Sequence, residues 1–209
     1  MLERSEHAEN AVADAPPLTA PRNTRASGAR MVHITPTMLT SIGRGAKDPD
    51  DLVTLLLECH ARIRHFVRLA AEVGTRLDLS EGEVRDECAR VRRYFGEALP
   101  LHVRDEEESL LPRLLGHETE LDAALEAMHA QHLEHAPALA GLLRATAALE
   151  KDPHDADGRT LLGETARTLA IEFETHLSAE EATILPAIPR LLDWEGQRQV
   201  VAELRARRK

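Results

Sequence analysis

Aromatic residues make up only 2% of this 209-residue chain. A core with so little Phe, Tyr and Trp must be built from Leu, Ala, Val and Ile. Leu and Ala favour helices, and the aromatic residues that favour strands are scarce. Cysteine is equally sparse: Cys59 and Cys88 are the two present. That is too few for a disulfide framework and fits a reducing cytoplasm. No apolar run approaches the ~20 residues that span a bilayer. The segment 1–30 has no apolar stretch of the kind a signal peptide needs. Positive charge is in deficit, with 26 Lys and Arg against 36 Asp and Glu and a net charge of -10. This disfavours nucleic acid or an anionic membrane as partner, and the basic end "RARRK" is too short to reverse it. No Gly-rich phosphate loop, nucleophile elbow or Cys-x-x-Cys occurs.

Hydrophobic residues reach 43%, and their spacing is helical. Residues 1–30 lack periodicity and read as a disordered tail. Residues 31–49 carry Pro36, Gly43, Gly45 and Pro49 and read as a lead-in loop. From Asp50 apolar positions recur every three or four residues: Leu52, Leu56, Ile63, Val67 and Ala70, with Gly74 as a stop. A second helix opens at "SEGE", where Ser80 and Glu83 can cap each other. It runs through Val84, Cys88, Val91, Phe95, Leu110 and Leu114 to Gly116, and Pro100 predicts a kink. A third, from Thr119, carries Leu121, Leu125, Met128, Leu139 and Leu142, bent at Pro137 and Gly141. A fourth, from about Arg159 to Ala187, carries Leu162, Ala166, Leu169, Phe173 and Ile184 and is closed by Pro186 and Pro189. A short amphipathic helix follows over Trp194–Arg207. The expected architecture is all-α: an up-down-up-down four-helix bundle over 50–190, a short extra helix within 191–209 and a disordered N-terminal tail.

Histidine is the outlying count, at 11. His60, His102, His132 and His176 fall on the four apolar stripes, one per helix. Glu106 and Glu180 follow His102 and His176 by four residues and share their faces. The two local sequences, "HVRDEEESLLP" and "HLSAEEATILP", repeat one layout. A His–Glu pair one turn apart is usually an ordinary helix salt bridge. Here the pairs recur on the second and fourth helices only, a two-fold pattern. Two buried carboxylates cost several kcal/mol unless compensated. Dications compensate them directly, and N and O ligands from four helices can surround a metal pair in a bundle core. The donor set suits iron or manganese, with zinc possible.

These pieces, with "ECHARI" on the first helix and "QHLEH" on the third, resemble the hemerythrin-like (HHE cation-binding) domain family over about residues 50–190. The resemblance implies a four-helix bundle holding two iron ions, a non-haem di-iron centre that binds dioxygen or responds to iron, oxygen or nitric oxide. It implies His60, His102, Glu106, His132, His176 and Glu180 as metal ligands, with Glu106 and Glu180 as candidate bridges. The chain departs from the family at Cys59 and Gln131, where Glu is usual before the histidine. On the third helix His129, His132 and His135 recur at steps of three, and His132 is chosen over His135 and then His129.

The other polar residues read as follows. Asp105, Glu107 and Glu108 are expected at the edge or in solvent, as is Glu181, with an outer-ligand role open to Glu181. Glu172 is a candidate to orient the His176 imidazole. Cys59 is expected as a small packed residue, and His65 on an Arg-rich outer face. His7, His33, His117 and His154 fall in tails or loops. The leading functional expectation is a cytoplasmic protein that binds or senses a small ligand. The alternatives are a di-iron oxidase or peroxide- or nitric-oxide-consuming enzyme, and a metal-free helical interaction bundle.

Overall fold

A computed structural model describes residues 51–209, all of whose regular elements are helical. The tail expected over 1–30 and the lead-in over 31–49 lie outside the described residues. The first rod is α1 (Leu52–Thr75). The second joins α2 (Glu81–Arg93), α3 (Leu99–Arg104) and α4 (Leu111–Leu114) through two wider π-helical segments, π1 (Tyr94–Ala98) and π2 (Asp105–Leu110). The third consists of α5 (Thr119–Glu134) and α6 (Ala136–Lys151). The fourth is α7 (Ala156–Ala179), π3 (Glu180–Ile184) and α8 (Leu185–Leu191), and α9 (Trp194–Ala206) closes the chain. Among the described residues no helix is long and apolar enough to cross a membrane.

Local chemistry sets the ends. The Ser80 hydroxyl accepts from the Glu83 N–H while the Glu83 carboxylate accepts from the Ser80 N–H, the reciprocal cap its sequence predicts. Asp155 and Asp193 cap α7 and α9 through the N–H groups of Gly158 and Gly196. Gly116, at φ 88°, takes the left-handed conformation that follows the second rod.

Each π segment directly precedes a Leu-Pro pair: Leu99-Pro100, Leu111-Pro112 and Leu185-Pro186. The leucine N–H of each pair reaches back five residues, to the carbonyls of Tyr94, Glu106 and Glu180. A proline ring clashes with the carbonyl four residues before it, and the wider turn relieves that clash without ending the rod. The expected interruption at Pro100 is therefore a π turn. The expected stop at Pro186 and Pro189 is corrected: Pro186 lies in the first turn of α8, which begins at Leu185, contains Pro189 and runs on to Leu191. At Pro137 the third rod does break, between Glu134 and Ala136.

In the packing, α1 neighbours both α2 and α7, and α6 neighbours both α2 and α7, so each flanks the same two partners. A Cβ on Gly74 would sit 2.6 Å from the Gly163 backbone nitrogen, so α1 and α7 come together backbone to backbone there. Gly74 thus serves the crossing, and α1 ends one residue later. The buried side chains form two separate apolar cores. One holds Ile63, Leu99, Leu142 and Phe173, and the other holds Leu56, Leu110, Met128 and Ile184. Every rod passes from one core to the other, and the passage is where its histidine lies.

Candidate metal centre

Between Leu56 and Ile63 the first rod buries His60, which is 0% exposed. The second buries His102 and Glu106 between Leu99 and Leu110, and the fourth buries His176 and Glu180 between Phe173 and Ile184. His132 enters from the third rod with its side chain 6% exposed. The helical stripes thus deliver six polar side chains to one layer between two dry cores.

Their inward atoms converge. His102 Nε2 lies 3.1 Å from Glu106 Oε1, and His132 Nε2 lies 3.3 Å from Glu106 Oε2. His60 Nε2 lies 3.2 Å from Glu180 Oε2, and His176 Nε2 lies 3.0 Å from Glu180 Oε1. Two groups result: His60, His102, Glu106 and Glu180, and His132, His176, Glu106 and Glu180. Within each group the four ligand atoms lie within 4.8 Å of one another. Both carboxylates belong to both groups.

The outward imidazole nitrogens are held by a second set of partners. Glu181 Oε1 is 2.9 Å from His60 Nδ1, and Glu107 Oε1 is 2.9 Å from His132 Nδ1. Gln131 Oε1 is 2.8 Å from His176 Nδ1. With Nδ1–H donated outward, loss of the Nε2 proton would present that nitrogen's lone pair inward, the form a metal ligand requires. Arg64 donates to Glu181 and Glu174 and fixes Glu181 in turn.

These contacts correct several expectations. Glu107 is not merely solvated, since it accepts from His132 and from the half-exposed His129. Glu181 is the outer partner of His60. Gln131, not Glu172, orients His176, and Glu172 keeps a buried Oε2 without a partner. Asp105 is fully buried against Arg207 and Arg208 of the chain's end. Glu108 is the exposed residue of the run, paired with Arg104 and Arg207. His65, His117 and His154 are exposed as expected, whereas His7 and His33 lie outside the described residues. His135 is buried against Phe173 and His176 but belongs to neither ligand group.

Sequence reasoning had two usable signals for the missed partners. Glu107 and Glu181 each directly follow a central Glu. Both fall in π turns, where each residue rotates less than in an α-helix and stays nearer the histidine face.

Electrostatics show what the donor set lacks. His60 Nε2, His102 Nε2, His132 Nε2, Glu106 Oε2 and both Glu180 oxygens are buried without hydrogen-bond partners. Burial opposes charge on His60, but Glu106, Glu180 and Glu181 hold it protonated, with a pKa raised to about 10. His132 is likewise opposed by burial and raised to about 9 by Glu106 and Glu107. Burial and the Glu106 charge raise Glu180 to about 7. Burial also acts on Glu106, but His102, His132 and His60 hold its carboxyl well below the usual range. Burial keeps His176 neutral, at about 3. Protons stand where cations would neutralise the same carboxylates. Orphaned imidazole nitrogens around two shared carboxylates fit a pair of metal ions.

The family model for the hemerythrin HHE cation-binding domain matches residues 51–205. The chain belongs to that family. No curated protein matches it. Membership and the His/Glu cluster together establish a cation-binding type of domain. The match extends into α9 and ends just before Arg207 and Arg208, which clamp Asp105 beside Glu106.

Proposed function

We propose that the chain is a hemerythrin-like non-haem di-iron protein that binds or senses dioxygen, nitric oxide or iron itself. The ligands would be His60, His102, Glu106, His132, His176 and Glu180, with manganese or zinc as lesser candidates for the same donors. The bundle would follow the up-down-up-down order over 50–190, with 191–209 adding the short helix. A cytoplasmic location belongs to the same reading and accords with the free thiols of Cys59 and Cys88.

The observation that carries this reading is the sharing of Glu106 and Glu180 by two histidine pairs. When bound, iron supplies Lewis acidity and a one-electron redox couple. The protein's part is to hold the donors. Each group offers two imidazoles and two carboxylate oxygens, a mixed His–carboxylate donor set that would hold iron. Glu181, Glu107 and Gln131 fix the rings. A cavity of about 20 Å³ adjoins His132, His135 and His176 and is walled by Ile63, Leu99 and Phe173. About 10–15 Å³ suffices for one water, so a diatomic molecule suits this space and an organic substrate does not.

An enzyme that consumes peroxide or nitric oxide is the second reading. His135 favours it, as an imidazole on that cavity without a hydrogen bond. Turnover assays with peroxide and nitric oxide separate the two, since saturable binding without turnover overturns the enzyme.

The test is metal content with a visible spectrum after anaerobic loading with iron(II) and exposure to oxygen. Two ions per chain and a ligand-to-metal absorption band are expected, and His102→Ala and His176→Ala should abolish the band. Fewer than one ion per chain in the unsubstituted protein overturns the di-iron reading and leaves the metal-free interaction bundle.

A further inference from the structure

Three of the four central histidines have an oxygen partner on Nδ1. The fourth, His102, is 3% exposed and has none: its Nδ1 is buried without a hydrogen-bond partner. Such a nitrogen would leave the ring free to flip and its tautomer unset.

The centre's own two-fold pattern shows what belongs there. Glu107, next to Glu106, serves His132 on the third rod, and Glu181, next to Glu180, serves His60 on the first. Gln131, the residue before His132, serves His176 on the fourth rod. The matching position is the residue before His60, which should serve His102 on the second rod. That residue is Cys59.

The surroundings agree. Cys59 and His102 line one cavity of about 360 Å³. Of its other lining side chains, Arg62 and Arg208 can only donate, and Ala98 and Leu101 have no polar atom. The Tyr94 hydroxyl and the Cys59 sulfur remain as the acceptors on that cavity, and Cys59 is the one at the position the two-fold pattern requires. Arg62 Nη2 donates to the same sulfur at 3.4 Å, which marks it as an acceptor.

We propose that Cys59 is the positioning residue of His102, its sulfur accepting Nδ1–H so that Nε2 faces the metal centre. The proposal rests on the metal reading above. A sulfur is a weaker acceptor than a carboxylate or amide oxygen, so His102 is the most loosely held of the four rings. The thiol also places an oxidisable group one contact from the ligand set.

Iron(II) affinity and the His102 Hδ1 resonance of the 15N-labelled, metal-free protein test this in Cys59→Ala and Cys59→Ser. In Cys59→Ala, affinity should fall about 10-fold, the lower end for loss of such a partner. Its Hδ1 resonance should move upfield and exchange faster, with the metal-free unfolding midpoint unchanged. Cys59→Ser, which restores an acceptor, should recover both. Unchanged affinity with an unmoved resonance in Cys59→Ala overturns the proposal. Failure of Cys59→Ser to recover either property also overturns it, because packing alone then explains the loss. No iron uptake by the unsubstituted protein overturns the metal reading, while the resonance still decides the Cys59–His102 contact.

Discussion

Glu106 and Glu180 each divide their two oxygens between two histidine pairs, yet their carboxyl groups are shifted in opposite directions. Burial raises both. Three imidazoles overcome it at Glu106, and the resulting negative charge pushes Glu180 up to about 7. Two carboxylates this close ionise together only with positive charge between them, which protonated His60 supplies in the metal-free chain. Since each serves both groups, Glu106→Ala should weaken both metal positions and leave fewer than one ion per chain. His176→Ala removes a ligand from one group only and should leave about one ion, bound beside His60 and His102. Elemental analysis of the loaded variants distinguishes these outcomes.

Metal uptake should release protons. His60 at about 10 and His132 at about 9 carry protons at neutral pH that a metal must displace. Calorimetric titration in buffers of differing ionisation enthalpy should show at least two protons released per chain at pH 7, with a further fraction from Glu180 at about 7, and apparent affinity should rise with pH.

The metal-free fold should respond to pH in both directions. The stability that His60 contributes is full below its ordinary 6.5 and is lost as pH rises through about 10. His176 has the opposite sign. Its folded value is about 3, so the unfolded chain takes up its proton first, and stability falls as pH drops from 6.5 towards 3. Urea unfolding of metal-free protein should therefore show a lower midpoint at pH 10 than at pH 7. Metal-loaded protein, whose imidazoles are already deprotonated, should not lose stability in that range.

The α1–α7 crossing should tolerate change on one side only. Alanine at Gly74 meets the Gly163 backbone at 2.6 Å and should cost about 1–3 kcal/mol in unfolding free energy. Alanine at Gly163 finds ordinary spacing, 3.6 Å at the nearest, and should be neutral or stabilise by about 0.5 kcal/mol through helix propensity. Denaturant unfolding of the two variants reads the difference.

Asp105 is 0% exposed between Arg207 and Arg208. Its replacement by Ala leaves two cations facing an apolar gap. About 3 kcal/mol should be lost, the lower end for a broken buried pair because Arg208 is partly exposed. The same variant should bind metal more weakly, since Asp105 opens the π2 turn that carries Glu106.

The stripes were legible because burial repeats along a helix. Leu52, Leu56, His60, Ile63, Val67 and Ala70 are all buried in α1 as their spacing implies. The histidines and both central glutamates were legible for the same reason, together with their doubled local sequence. What spacing could not show depends on distant chain or on altered helical pitch. Asp105 acquires its partners from the far end of the sequence, through α9. Leu-Pro signals a stop in ordinary helices, but here it marks a wider turn that the rod survives. Glu172 was the expected partner of His176, and packing of the third rod against the fourth supplies Gln131 instead.

The polar layer between two dry cores also has a kinetic consequence. No rod can move its histidine outward without exposing Leu, Ile, Val or Phe on one side or the other. Ion exchange is thereby tied to local opening of the bundle. Once loaded, the centre should surrender its ions to a chelator at a rate that follows hydrogen exchange of the surrounding amides and does not depend on chelator concentration.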